Sequence, residues 1–368
     1  MQFIDLAAQQ QQIRTLIEEN IKKVLEHGKY ILGPEVKELE QKLAAYVGVK
    51  YAVGVASGTD ALLMPLMAYQ VGPGDAIFVP TFTFIATAEV VQLLGATPVF
   101  VDIDEKTYNI DVTKLAEAIQ KTKKQGKLTP RGIIPVDLFG QPADYEQILQ
   151  LAQEHNLFVL EDAAQSFGAE YKGKKAGALA KVAATSFFPA KPLGGYGDGG
   201  MIFTDDQQLY EILISLRVHG KGATKYENVR IGINGRLDTL QAAILLAKFR
   251  VFEQELAKRQ TIAQQYTQAL ETVVITPYIK EGNLSAWAQY SVRHPEREKQ
   301  LAKLKAHEIP YAIYYPQPLH QQKAFAHLGY QAGQFPIAEK VAGEIFSLPF
   351  SPYLTAEDQE KVIQALKS

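Results

Sequence analysis

Between residues 51 and 160 short apolar runs alternate with amphipathic stretches, and few architectures accommodate such a pattern. Residues 51–55, 76–79, 98–101, 132–136 and 157–160 read as buried strands, with helical apolar spacing between them. Strands separated by helix-length connections cannot close as hairpins, so they pair in parallel through crossovers. The expected class is α/β, a mostly parallel sheet flanked by helices. Ligands of such a sheet bind outside the carboxyl ends of its strands.

Ahead of the sheet, Ile13, Leu16, Ile17, Ile21, Val24 and Leu25 recur at helical spacing over residues 6–27, and Gly28 supplies a stop. A second helix is expected after Pro34. Beyond Asp162 the runs shorten, with strands expected at 182–188 and 200–204 around a glycine-rich turn. Residues 237–270 contain neither Pro nor Gly and predict one long connecting helix. A strand at 289–293 and a terminal helix at 356–366 then suit a smaller C-terminal α+β domain. A chain of 368 residues has room for about two domains, and the expected division is a large α/β domain over 1–250 and a small domain over 251–368. Segment 121–131 carries five basic residues in eleven and reads as a solvated loop between a helix and a strand.

Thirty-eight Lys and Arg against 40 Asp and Glu leave a net charge of −2. Neither nucleic acid nor an anionic membrane is called for, and an anionic ligand must be held by local groups. The absence of cysteine excludes disulfides, thiolate metal sites and a cysteine nucleophile, and no metal is expected. No signal-peptide pattern follows Met1, and no run of about 18 apolar residues occurs, so the expected location is cytoplasmic.

Three segments carry chemistry. The run Glu161-Asp162-Ala163-Ala164-Gln165-Ser166 sets acidic groups at the carboxyl end of a strand; a metal-binding carboxylate is one reading, and alone an Asp at a strand end is more often a helix N-cap than a catalytic group. Lys191 lies within Ser186-Phe187-Phe188-Pro189-Ala190-Lys191-Pro192-Leu193-Gly194-Gly195. Among aromatics and prolines its ammonium is poorly solvated and its pKa falls, as an imine-forming lysine requires. The glycines could instead cradle a phosphate, but the order Gly-x-x-x-x-Gly-Lys-Ser/Thr is missing. Finally, Ser57-Gly58-Thr59-Asp60 follows the first strand and opens a helix whose free N–H groups suit a phosphate. A phosphate grip, an acid for a pyridine nitrogen and an imine-forming amine are the three needs of a pyridoxal 5'-phosphate (PLP) enzyme.

On these segments, together with Phe3-Ile4-Asp5-Leu6, Gly33-Pro34-Glu35-Val36 and Asn234-Gly235-Arg236-Leu237-Asp238-Thr239-Leu240-Gln241-Ala242-Ala243, the chain resembles, end to end, the fold-type-I PLP aminotransferases of nucleotide-linked keto-sugars, the DegT/DnrJ group. The wording around Lys191 is most similar to the subgroup that aminates UDP-2-acetamido-2-deoxy-3-oxo-D-glucuronate at C3, with glutamate as donor, for bacterial surface polysaccharides. The resemblance implies that Lys191 forms the imine with PLP and then moves the substrate proton. Asp162 would pair with the pyridine nitrogen, Gln165 with the ring hydroxyl, and Phe84 would stack on the ring. Gly58, Thr59 and Ser186 would hold the phosphate, joined by Asn234 from the neighbouring subunit of a homodimer. Arg236 and Tyr315 would contact the sugar, the guanidinium suiting a uronate carboxylate. One departure stands out: relatives often carry His-Tyr-Pro where this chain has Tyr314-Tyr315-Pro316.

Two further readings stay open. The same machinery could aminate a dTDP-3-oxo-6-deoxyhexose, or the chain could bind PLP without transaminase activity, against which the intact set Asp162, Gln165, Ser186 and Lys191 argues. A PLP sugar dehydratase would carry histidine in place of Lys191. A nicotinamide dehydrogenase would show Gly-x-Gly-x-x-Gly after the first strand, and none follows.

Overall fold

The computed structural model describes residues 1–224 and 226–368. Helices α1 (Leu6–His27) and α2 (Pro34–Val47) precede the sheet. The Asp5 side chain caps α1 by accepting the Ala8 N–H, and Gly28 ends it at φ +66°, a conformation glycine adopts at little cost.

The central sheet has seven strands: β1 (Tyr51–Val55), β2 (Asp75–Pro80), β3 (Thr97–Val101), β4 (Thr129–Ile133), β5 (Phe158–Asp162) and, after the two-residue β6 (Glu170–Tyr171) and β7 (Lys174–Lys175) of a side sheet, β8 (Val182–Ser186) and β9 (Gly200–Thr204). Their spatial order is β1-β9-β8-β5-β4-β2-β3. Only β9 runs against its neighbours; the remaining pairings are parallel. Helices α3 (Gly58–Ala68), α4 (Ala86–Leu93), α5 (Val112–Gln125), α6 (Tyr145–His155) and α7 (Gln207–Leu216) connect or follow the strands. Ile77 and Val79 join Val53, Leu62 and Leu160 in one apolar cluster, whereas Phe78 joins Leu39, Ile133 and Phe203 in another. That alternation along β2 is the two-residue period of a strand buried on both faces.

Three sequence expectations are corrected here. Segment 121–131 is a loop only over residues 126–128. Leu115, Ile119 and Thr122 continue the buried face of α5 to Gln125, and Gly126 stops it at φ +63°. Lys123 and Lys124 occupy its last turn, where the helix dipole favours cations. β4 accordingly begins at Thr129 and ends before Pro135, which has no N–H for a ladder; the expected strand at 132–136 is displaced by three residues toward the N-terminus. The helix expected over 237–270 is two helices, α8 (Thr239–Phe249) and α9 (Phe252–Leu270). At the break the N–H groups of Arg250 and Val251 bond three residues back, to Ala247 and Lys248. This tightened turn carries Phe252 into a ring cluster with Tyr46, Phe167 and Phe249.

After β10 (Asn283–Leu284), strands β11 (Tyr290–Arg293) and β12 (Ile345–Leu348) pair antiparallel. Helices α10 (Arg297–Ala306), α11 (Pro336–Glu344) and α12 (Ala356–Lys367) complete the chain. Tyr266, Tyr290, Leu304, Phe346 and Val362 form a separate core, but Phe325, Phe335, Ala338 and Val341 pack instead into the core of the large sheet. That return brings the segment after Tyr315 to the carboxyl end of β2, where the Leu319 N–H donates to the Thr81 carbonyl at 2.7 Å.

Candidate active site

Six strands of one direction end at the same edge, and the residues just beyond five of them, β1, β2, β4, β5 and β8, line one cavity of about 410 Å3. Ser57, Gly58 and Thr59 enter from β1, Thr83 and Phe84 from β2, Asp162 and Gln165 from β5, and Ser186 and Lys191 from β8. Of adjacent Glu161 and Asp162, strand alternation aims only the second into the cavity. Glu161 faces away and accepts the N–H groups of Gly177 and Leu179 at 2.5 and 2.9 Å.

Asp162 is 3 % exposed. Its Oδ2 accepts the Thr87 hydroxyl at 2.9 Å and its Oδ1 the Ala164 N–H at 3.2 Å. Burial pushes its carboxyl pKa up, against these two donors and the attraction of Lys191. Desolvation likewise lowers Lys191 to about 8, and the charge of Asp162 pulls the other way. A lysine of this kind is largely neutral in mildly basic solution, hence nucleophilic.

Gln165 is held in one orientation. Its Oε1 accepts the Phe139 N–H at 2.7 Å, which turns its NH2 group towards the cavity, 3.2 Å from the Tyr315 hydroxyl. Burial pushes the Tyr315 hydroxyl pKa up, so it stays protonated. Of the two aromatics after β2, Phe82 is in the core at 1 % exposure, whereas Phe84 is 55 % exposed and lines the cavity 6.4 Å from the Tyr315 ring.

At the start of α3 the Ser57 hydroxyl accepts the Asp60 N–H. Among the described residues nothing accepts from the N–H groups of Gly58 and Thr59. Gly58 lies so close to β8 that a Cβ would stand 2.7 Å from that of Ser186. The site therefore has a narrow anion cradle of two N–H groups and the Ser186 hydroxyl, a buried carboxylate and a desolvated amine. These are, in turn, the donors a phosphate requires, the acceptor a protonated pyridine requires and the nucleophile an aldehyde requires, so the residues present fit PLP.

Asn234 and Arg236 do not line this cavity. Asn234 is exposed and makes an isolated bridge with Val218, and the Nε of Arg236 is buried without a partner. Sequence reasoning missed Thr87, which orients Asp162, and Gln289, which lines the cavity from the C-terminal region. Thr87 stands in the first turn of α4, four residues after Thr83, a faint signal; Gln289 has none.

A parallel sheet whose carboxyl edge gathers these groups defines a PLP-dependent transferase. Residues 11–367 match the DegT/DnrJ/EryC1/StrS aminotransferase family, and the chain belongs to that family of PLP-dependent sugar aminotransferases. A Pseudomonas aeruginosa protein named UDP-2-acetamido-2-deoxy-3-oxo-D-glucuronate aminotransferase is 49 % identical over 369 residues, spanning 100 % of this chain and 99 % of its own. The crystal structure of a DegT DnrJ EryC1 StrS aminotransferase from Brucella abortus is 52 % identical, with a TM-score of 0.97 and coverage of 100 % of this chain and 98 % of that one. NtdA from Bacillus subtilis, solved with its cofactor PMP bound, is 29 % identical, with a TM-score of 0.88 over 99 % of this chain and 82 % of that one.

Proposed function

We propose that the enzyme moves the amino group of L-glutamate to the C3 keto group of UDP-2-acetamido-2-deoxy-3-oxo-D-glucuronate, in the biosynthesis of a bacterial surface polysaccharide such as the O-antigen of lipopolysaccharide. The observation that carries the chemistry is the joint presence of desolvated Lys191 and buried Asp162 in one cavity. The choice of sugar follows the Pseudomonas aeruginosa relative.

When bound, PLP accepts the amino group from the donor and passes it to the keto carbon, its ring drawing off negative charge. The residues do the rest. Lys191 Nζ, neutral above its lowered pKa, would hold the cofactor through its aldehyde carbon and, once released from it, would carry a proton between the nitrogen-bearing carbon of the substrate and that cofactor carbon. Asp162, fixed by Thr87 and the Ala164 N–H, holds the pyridine nitrogen in its protonated form. Gln165 would direct its NH2 to the ring hydroxyl, Phe84 would cover the ring, and Gly58, Thr59 and Ser186 would grip the phosphate.

The sugar is assigned to Tyr315 and Arg236, and the phosphate grip is completed by Asn234. The last two belong, in this reading, to the cavity of a second copy in a homodimer. Supporting this are the unpaired buried Nε of Arg236 and the apolar exposure of Tyr30, Ile31 and Ile231, the last at 88 %. A division into 1–250 and 251–368 is consistent with the break between α8 and α9. We assign the enzyme to the cytoplasm; no described helix is long and apolar enough to cross a membrane.

The PLP-loaded enzyme mixed with L-glutamate is expected to release one equivalent of 2-oxoglutarate per site as the visible cofactor band disappears. The band should return on adding the 3-oxo uronate. Return only with a dTDP-3-oxo-6-deoxyhexose would move the reading to that sugar, and no 2-oxoglutarate release would overturn it.

A further inference from the structure

Gln289 reaches the cavity from a segment for which the scheme above has no use, and that segment is firmly held. The N–H groups of Ala286 and Ala288 donate to the carbonyls of Gly140 and Phe139 at 2.9 and 3.0 Å, and Arg259 Nη1 donates to the Trp287 carbonyl at 2.9 Å. The Gln289 amide itself makes no hydrogen bond to any described residue, and its Oε1 is shielded from solvent without a partner. A polar group in that state costs free energy that a ligand can restore.

Among the described residues, Gln289 is also the only one that lines both the main cavity and a second of about 20 Å3. Tyr108, Leu138, Phe139, Pro277 and Trp287 make the second cavity mostly apolar. Since about 10–15 Å3 of such space takes a water molecule, it has room for one methyl group. An unpaired amide beside an apolar niche of methyl size is complementary to an N-acetyl group. It is a poor match for a carboxylate, which calls for a cation, and for a hydroxyl, which would leave the niche without contacts.

We propose that Gln289 recognises the 2-acetamido group of the sugar, with the acetyl methyl in the adjoining niche, and thereby separates 2-acetamido-3-oxo sugars from their 2-hydroxy counterparts. The inference rests on the function proposed above: C2 adjoins the C3 that must meet Lys191, and Gln289 and Lys191 line the same cavity.

The test compares kcat/KM for UDP-2-acetamido-2-deoxy-3-oxo-D-glucuronate and for UDP-3-oxo-D-glucuronate in wild type, Gln289→Leu and Gln289→Ala, with the visible band of bound PLP recorded for each. In the variants kcat/KM for the acetamido sugar is expected to fall about 10–100-fold and that for the hydroxy sugar less than about threefold, with the band unchanged. A wild-type preference ratio near one overturns the inference without recourse to any variant. Equal losses on both sugars, or a lost cofactor band, also overturn it, since Gln289 would then support the site generally. A wild type inert towards both sugars overturns the proposed function as well, whereas the other adverse results leave that function standing.

Discussion

In the function proposed, the chemistry turns on Lys191. Its folded pKa, lowered by burial from 10.5 to about 8, leaves about a tenth of the amine neutral at pH 7 and most of it above pH 9. Capture of free PLP by the apoprotein should therefore speed up with pH, about tenfold per unit below 7, and level off above 9. Stopped-flow absorbance measures this, and a profile flat from pH 6 to 9 would contradict the assignment. Gly58→Ala tests the phosphate cradle: its Cβ would meet that of Ser186 at 2.7 Å, and neither strand nor helix N-terminus can retreat freely. The PLP dissociation constant should rise about tenfold or more, read by titrating the visible band. Lys191 and Asp162 were legible in the sequence because each lies in a contiguous segment whose composition is itself unusual. Thr87 and Gln289 were not, since their roles depend on what they meet across the fold.

Among the elements, the turn after β4 carries the clearest physical signature. Asp137 is fully buried there, its Oδ1 accepting the Ala143 N–H and the Tyr145 hydroxyl at 2.9 Å and its Oδ2 the Ser166 hydroxyl at 2.7 Å. Ser166 follows Gln165, and Phe139 in the same turn orients the Gln165 amide, so the network braces the cavity from below. Burial raises Asp137 from 3.8 to about 7, with the nearby Asp162 charge adding to it. The folded protein thus keeps a proton that the unfolded chain loses near pH 4, and this contribution to stability declines as pH rises through about 7. Calorimetry should show the unfolding midpoint of Asp137→Asn dropping less between pH 5 and 8 than that of wild type; an equal or larger drop would contradict the sign. Strand and helix identity was largely readable here from periodicity. The end of α5 was not, because a run of lysines looks the same on a solvated helix face as in a loop. Nor was the break at Arg250 and Val251, which local propensity does not require and the ring cluster of Phe252 does.

For the whole molecule, the return of α11 to the large core escaped the sequence reading, since which core an apolar helix face joins is a tertiary choice. The parallel sheet and its ligand-binding edge did not escape it, because crossover connections are written in the spacing of the apolar runs. Assignment of Asn234 and Arg236 to the cavity of a second copy makes a complementation test available. Lys191→Ala and Asn234→Ala proteins, each inactive or nearly so, should recover about a quarter of wild-type activity when unfolded and refolded together. Half of the dimers would then be mixed, with one of two sites intact. No recovery, with dimers present, would assign both residues to their own chain.

The account meets its most direct test in the complete reaction. UDP-2-acetamido-2-deoxy-3-oxo-D-glucuronate, generated in situ, is incubated with the enzyme, PLP and L-glutamate, and the products are followed by mass spectrometry. A glutamate-dependent 3-amino sugar, formed with an equal amount of 2-oxoglutarate and absent with Lys191→Ala, is the predicted result. Unchanged 3-oxo sugar from a protein that still shows the visible band of bound PLP would contradict it.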